Sequence, residues 1–272
     1  MVRRIVRKLR RALWTVRWQG WNRFSTRHEC YVCKRRLRHF YPWLNGLSTM
    51  SEFIRQMEVV GSDVVNFGCP FCYANDRERH LFLYFDRLKV WDRFCGKAIL
   101  HFAPERNLSR RIKQCGPSRY VQADFFPEDL YSKNPEIERV DATDIQYGAD
   151  TFDGLICNHV LEHVPDARKA LSEFRRVLKP GGFAVLQTPF SARLAHTIED
   201  SGIDTDELRQ LVYGQEDHVR LFGRDFLGLI EEAGLSLELC RHQDVATTEE
   251  ARRFGMNAAE DLILVRKPGH TA

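Results

Sequence analysis

The chain has 272 residues, 43% of them hydrophobic and 29% charged, which suffices for one substantial core and a small appendage. No run reaches the roughly 18 uninterrupted apolar residues of a spanning helix, and eight cysteines without a signal-peptide apolar region point to thiols or metal ligands rather than a disulfide framework. The net charge of +4 is uneven: residues 1–41 hold 13 Lys and Arg against the single acid Glu29, while the remainder holds 28 basic and 36 acidic residues.

Any preference for nucleic acid or an anionic membrane therefore belongs to the first segment. From Arg3 to Val16, Ile5, Leu9, Ala12, Leu13 and Val16 fall at helical spacing with Arg and Lys filling the other face. Two readings stand side by side for this basic amphipathic helix over residues 1–28: a helix lying on an anionic bilayer, or a solvated helix docked by its apolar stripe. Arginines interrupt what would be the apolar core of a secretory leader, so export is not expected and the chain is placed in the cytoplasm, with peripheral membrane contact through this segment.

Residues 29–80 form a second unit. Cys30-Tyr31-Val32-Cys33 and Cys69-Pro70-Phe71-Cys72 are two C-x-x-C knuckles, each able to present two thiolates to one tetrahedral ion, so Cys30, Cys33, Cys69 and Cys72 are the expected ligands of a structural zinc. The segment between the pairs is longer than usual and must fold back. A four-sulfur shell leaves zinc no open position and implies no catalytic role. Cys95, Cys115, Cys157 and Cys240 are scattered and read as core thiols.

After a helix expected over 77–94, residues 81–272 alternate strand-like and helical runs. Strands are expected over 97–102, 119–123, 137–140, 154–158, 182–188, 237–241 and 262–266, with helices over 167–178 and 224–233. The alternation predicts an α/β fold: a Rossmann-like, doubly wound, mostly parallel sheet beside the small zinc-ribbon-like module. In such sheets a ligand sits beyond the carboxyl ends of the strands, so the residues just after each strand reach it.

The series Asp141-Ala142-Thr143-Asp144-Ile145, Asp150-Thr151-Phe152-Asp153, Asn158-His159-Val160-Leu161-Glu162-His163-Val164 and Arg175-Arg176-Val177-Leu178-Lys179-Pro180-Gly181-Gly182 resembles the class I S-adenosylmethionine-dependent methyltransferases of the type-11 group over residues 97–267. The resemblance implies S-adenosylmethionine as cofactor. Asp124 would take the ribose hydroxyls, Asp141 and Ala142 the adenine, and Asn158 and His159 the methionine end. Where the family has an acid followed by a glycine-rich turn, this chain has His101-Phe102-Ala103-Pro104-Glu105. Ala103 is still small, and Glu105 is positioned to meet the cofactor's ammonium group. The knuckles, Asn75 to His80, the Ala-Pro-Glu loop and Gly214 to Arg220 together are similar to a methyltransferase subgroup with an N-terminal four-cysteine module.

Methyl transfer needs an aligned nucleophile and a place for its proton. His218, in the charged stretch Gly214 to Arg220, is the first choice for acceptor contact, beside the bland reading of a salt-bridged surface loop. His159 is the second, and His163 ranks last, as a structural residue opening the next helix. Three functions follow: O- or N-methylation of a small-molecule or sugar-containing acceptor such as a glycan precursor; RNA methylation, with the module and the arginines gripping phosphates and Tyr31, Phe40, Tyr41 and Trp43 stacking on bases; or a non-catalytic protein that keeps the fold.

Overall fold

The structure is a computed structural model that describes residues 16–22, 26–43, 47, 50–128 and 136–269. Of the basic helix expected over residues 3–16, residues 3–15 lie outside the described residues; residues 16–22 are helical.

Seven strands form the main sheet: β1 (Ala98–Phe102), β2 (Arg119–Asp124), β3 (Ile137–Arg139), β4 (Phe152–Asn158), β5 (Leu178–Gln187), β6 (Ser236–Cys240) and β7 (Leu262–Arg266). Their order is β6-β7-β5-β4-β1-β2-β3. Neighbours from β5 through β3 are parallel, whereas β7 runs antiparallel to both β5 and β6. The order reverses between β1 and β4, and that switch point is where a doubly wound sheet opens its ligand crevice.

The strands β1, β4, β5 and β7 carry the long apolar runs because both of their faces are covered. Leu100, Leu155, Cys157, Ala184, Leu186, Ile263 and Val265 enter one core with α3 (Ala167–Val177) and the helix Phe226–Glu232, while Ile99, Ile156, Phe183, Val185, Leu262 and Leu264 enter the other. This is the alternation a pleated strand imposes. Gly154 is part of the price of that packing, since a Cβ there would stand 2.7 Å from the Phe183 ring and 2.9 Å from Ile99.

The helices flanking the site are α1 (Asp76–Arg87), α2 (Arg106–Gln114), α3, α4 (Asp206–Val212), α5 (Phe226–Glu232) and α6 (Thr248–Phe254). The single helix expected over 77–94 is two: α1 stops where Lys89 turns left-handed (φ 54°), and a 3-10 turn follows over Val90–Phe94. Asn75 caps α1 by accepting from the Glu78 N–H. The division expected between residues 80 and 81 falls inside α1.

The knuckle module folds around a two-residue ladder, His28–Glu29 with Arg36–Leu37. Between its cysteine pairs the chain folds back through the short helix Glu52–Gln56, and Val59–Val60 pairs with Phe190–Ser191, just past β5. The module also docks on α6: Glu29 pairs with Arg253 at 2.6 Å, and Tyr31 meets Phe254 edge to face. Arg79 of α1 is fully buried, stacks on Phe40 at 3.8 Å, and donates to the carbonyls of Asn66, Phe67, Ala74, Phe254 and Gly255.

Among the described residues no helix is long and apolar enough to cross a membrane. Of the four scattered cysteines, Cys157 is buried, Cys115 and Cys240 are half-buried, and Cys95 is exposed, so Cys95 is not a core thiol. It follows the 3-10 turn and precedes Gly96, in the bend that feeds β1.

Candidate functional site

The strand ends expected to carry the cofactor lie side by side. The Ala103 N–H donates to the Ala123 carbonyl at 2.8 Å, and the Val140 N–H donates to the Asp124 carbonyl at 3.0 Å. Phe102 is in register with Cys157, which sets Asn158 beside Ala103. Asp141, Asp124, Ala103 and Asn158 therefore line one lip.

Ala103 has φ 45°, the left-handed region that glycine enters without strain. The loop thus keeps a glycine-like path without a glycine. Next to it, Glu105 Oε2 lies 2.8 Å from His101 Nε2, and Asn158 Nδ2 donates to Glu105 Oε1 at 3.1 Å. His101 Nδ1 is in turn bonded to the Tyr120 hydroxyl at 2.8 Å. Burial works against charge on Glu105, but His101 and Asn158 outweigh it and hold the carboxyl below its ordinary range. A charged, fixed carboxylate thus stands at this lip, held by the histidine in the strand, and its chemistry would fit the cofactor's ammonium group.

Asp124 is buried, and its Oδ1 accepts from the Phe126 N–H at 2.8 Å. Burial pushes its carboxyl above the ordinary value, against the pull of the Phe126 and Phe125 N–H groups. Asp141 Oδ1 accepts from both the N–H and the hydroxyl of Thr143 at 2.8 Å, and Ala142 is buried behind it. Asn158 is 4% exposed and its Oδ1 lacks a hydrogen-bond partner, an unmet acceptor at the place where the methionine end would enter.

His159 also adopts a left-handed φ, 53°. Its Nδ1 stands 3.3 Å from Glu162 Oε1, while its buried Nε2 has no hydrogen bond and lies 4.0 Å from Glu260 Oε1. Glu260 arrives here because β7 is antiparallel and begins, rather than ends, at the lip. With Arg77, His80, Tyr84, Asn158 and Gln187 it lines a narrow cleft, and His80 bridges from Glu260 to His242 at 3.5 and 2.7 Å. Glu162 Oε2 accepts from the Thr188 hydroxyl at 3.0 Å. Burial opposes its charge, but the hydrogen bond from His159 and the charges of His159, His163 and His218 hold its pKa down at about 2.

His218 is 3% exposed, so the stretch Gly214 to Arg220 is not a surface loop at this point. The Val219 N–H donates to the Glu162 carbonyl at 2.9 Å, and Arg220 donates to the carbonyls of Leu161, Val164 and Pro165 while pairing with Glu199. These bonds bring His218 against the β4 turn. His163 sits in that turn rather than at a helix start, since α3 begins at Ala167. Sequence reasoning left Glu78, His80, His101, Glu162 and Glu260 without roles. Glu78 accepts from the N–H groups of Asn107 and Leu108 and so caps α2.

The four knuckle sulfurs converge. Cys30 and Cys72 Sγ are 3.6 Å apart and Cys33 and Cys69 Sγ 3.8 Å apart; zinc–sulfur bonds of about 2.3 Å in a tetrahedron give about 3.8 Å. The knuckles repeat one backbone pattern: Lys34 N–H to Cys30 O and Cys30 N–H to Arg35 O in the first, Tyr73 N–H to Cys69 O and Cys69 N–H to Ala74 O in the second. Lys34 (φ 58°) and Tyr73 (φ 63°) take equivalent left-handed positions. Spacing and donor set fit a tetrahedral thiolate-bound ion.

Residues 92–239 match the family model described as a methyltransferase domain. The chain is 43% identical over 99 residues to a demethylmenaquinone methyltransferase of Clavibacter sepedonicus, covering 34% of this chain and 40% of that protein. It is 31% identical over 132 residues to a demethylmenaquinone methyltransferase of Halalkalibacterium halodurans, covering 44% and 49%; the chain thus spans less than half the length of either relative. Among solved structures, an S-adenosylmethionine-dependent methyltransferase from Mesorhizobium loti aligns with a TM-score of 0.49 at 17% identity, over 68% of this chain and 97% of that one. With more than half of its length inside the matched family model, the chain belongs to the methyltransferase domain family.

Proposed function

We propose that this chain transfers a methyl group from S-adenosylmethionine to an oxygen or nitrogen of a small-molecule or sugar-containing acceptor. The observation that carries the reading is the lip itself: Asp141, Asp124, Ala103 and Asn158 on consecutive strand ends, with the charged Glu105 fixed between His101 and Asn158. Because the bound methyl is already electrophilic, this frame acts mainly by alignment. His159 is the proposed proton acceptor, oriented by Glu162 through Nδ1 and presenting Nε2 to the cleft. His218 is proposed to contribute to the acceptor side from behind Glu162. The enclosure of Asn158, His159 and His218 supports a small acceptor over a base in folded RNA. A quinone-type acceptor is the second reading, favoured by the names of the two relatives.

The knuckle cysteines are proposed to hold a structural zinc, which would place the chain in the four-cysteine subgroup, and the basic residues 3–16 to hold it against an anionic membrane surface. The experiment is calorimetric titration of the metal-replete protein with S-adenosylmethionine and with its demethylated product, in wild type and Asp124→Ala. Micromolar binding that weakens at least tenfold in the variant is expected. No binding to either ligand refutes the enzymatic reading. Salt-sensitive RNA binding in the same preparation would replace the small acceptor by RNA.

A further inference from the structure

Glu162, His163 and His218 each place one donor atom within 4.8 Å of the others. Both imidazoles are fixed from behind. His218 Nδ1 lies 3.0 Å from the Tyr213 carbonyl, and His163 Nδ1 lies 3.2 Å from the Asp217 carbonyl and 3.3 Å from Asp217 Oδ2. A carbonyl only accepts, so each Nδ1 carries a proton and Nε2 is the nitrogen left to ligate a cation, which displaces any proton held there. His218 Nε2 is buried without a hydrogen-bond partner. Two imidazoles and a carboxylate thus meet in a largely enclosed space.

We infer that Glu162, His163 and His218 bind a divalent first-row transition-metal ion, distinct from the knuckle site. Two imidazoles and one carboxylate suit such an ion. The backbone carbonyls and Asp217 behind the rings are the outer partners that ligating histidines normally have. The two rings stand edge to face with their centres 4.7 Å apart. The Thr188 hydroxyl fixes the carboxylate, and the carbonyls gripped by Arg220 fix the turn that carries it. His163, one-third exposed, gives a route of entry. Three protein ligands leave open positions for an oxygen-bearing ligand, and His159, 3.3 Å from Glu162, borders them. That placement rests on the acceptor side proposed above, but binding of the ion does not depend on methyl transfer.

The test is a titration of the zinc-saturated protein with Co2+, read by visible absorption and calorimetry. The expected result is one further equivalent of metal giving weak ligand-field bands without thiolate charge transfer, lost in His163→Ala and in His218→Ala. Asp217→Asn, which leaves the three ligands in place, should weaken binding 10- to 100-fold and serves where an alanine variant fails to fold. No equivalent of this spectrum, or one unchanged in the variants, overturns the site. Cofactor titration of the same samples reports separately on the enzymatic reading.

Discussion

Replacing Arg79 tests whether one side chain joins the cysteine module to the catalytic domain. Its guanidinium is buried and donates to five carbonyls, three in residues 66–74 and two at Phe254 and Gly255. The Ala74 carbonyl keeps a second donor, the Cys69 N–H, so four of the five depend on Arg79 alone. Lysine keeps the charge but has three protons on one atom, so Arg79→Lys strands at least one of the four. Each buried carbonyl left without a donor costs about 1–3 kcal/mol, which puts the loss at about 1–3 kcal/mol or more. Arg79→Met strands all four, about 4–12 kcal/mol, a loss comparable with the whole stability of a domain, about 5–15 kcal/mol. Urea denaturation followed by tryptophan fluorescence gives the first number. Hydrogen exchange then shows whether residues 66–74 and 254–255 open together. A loss below about 1 kcal/mol for Arg79→Lys, or opening of one segment without the other, refutes the joining role.

Chelation of the knuckle metal should lower the melting temperature and deprotect residues 30–74 ahead of the sheet, and a metal-free chain that melts as before excludes the zinc. Gly154→Ala forces a methyl to 2.7 Å from the Phe183 ring and should cost about 1–3 kcal/mol by chemical denaturation; a change below about 0.5 kcal/mol contradicts the packing. Burial raises Asp76 to about 7, from about 3.9 in an unfolded chain. Its contribution is therefore complete below about pH 4 and lost as the pH rises through 7, a swing on the order of 2–4 kcal/mol. Asp76→Asn can still accept from the Asp63 N–H, so its stability profile between pH 4 and 8 should be flatter and higher at pH 8; an unchanged slope rejects this. Ala103→Gly relieves a left-handed residue costing about 1–2 kcal/mol while loosening the unfolded chain by about 0.4–1 kcal/mol. A small net gain in melting temperature is expected, and a loss above about 1 kcal/mol shows the loop unstrained.

The sheet is legible in the sequence because its strands β1, β4, β5 and β7 are apolar on both faces, and the order of its motifs alone places Asp124, Asp141 and Asn158 at strand ends. Helix α2 was not read: in Arg106–Gln114 only Leu108 and Ile112 are apolar, four residues apart, too thin a stripe to see among the surrounding Arg, Lys and Gln, although both are fully buried. The support of Glu105 was hidden for a different reason. His101 and Tyr120 lie 19 residues apart and meet only because β1 and β2 pair in parallel. Glu260 escaped notice because a residue before a strand faces the lip only when that strand is reversed, and hydrophobic patterning carries no strand direction. The charge of Gly214 to Arg220 left a wet loop as the alternative to acceptor contact by His218, whereas Arg220 bonds backbone carbonyls and Glu199 and the stretch is drawn inward at His218.

The reversed β7 also sets an order of events during synthesis. A nascent chain halted before residue 260 has made all five parallel strands, yet β5 is left as an open edge, and β6 has nothing to pair with, since β7 lies between them. His28, made 224 residues before Arg252, likewise waits for it before it can dock, as Tyr31 waits for Phe254. Such an edge invites pairing with other chains, so the interval before the last strand emerges is when this protein is most exposed to aggregation and most in need of a chaperone.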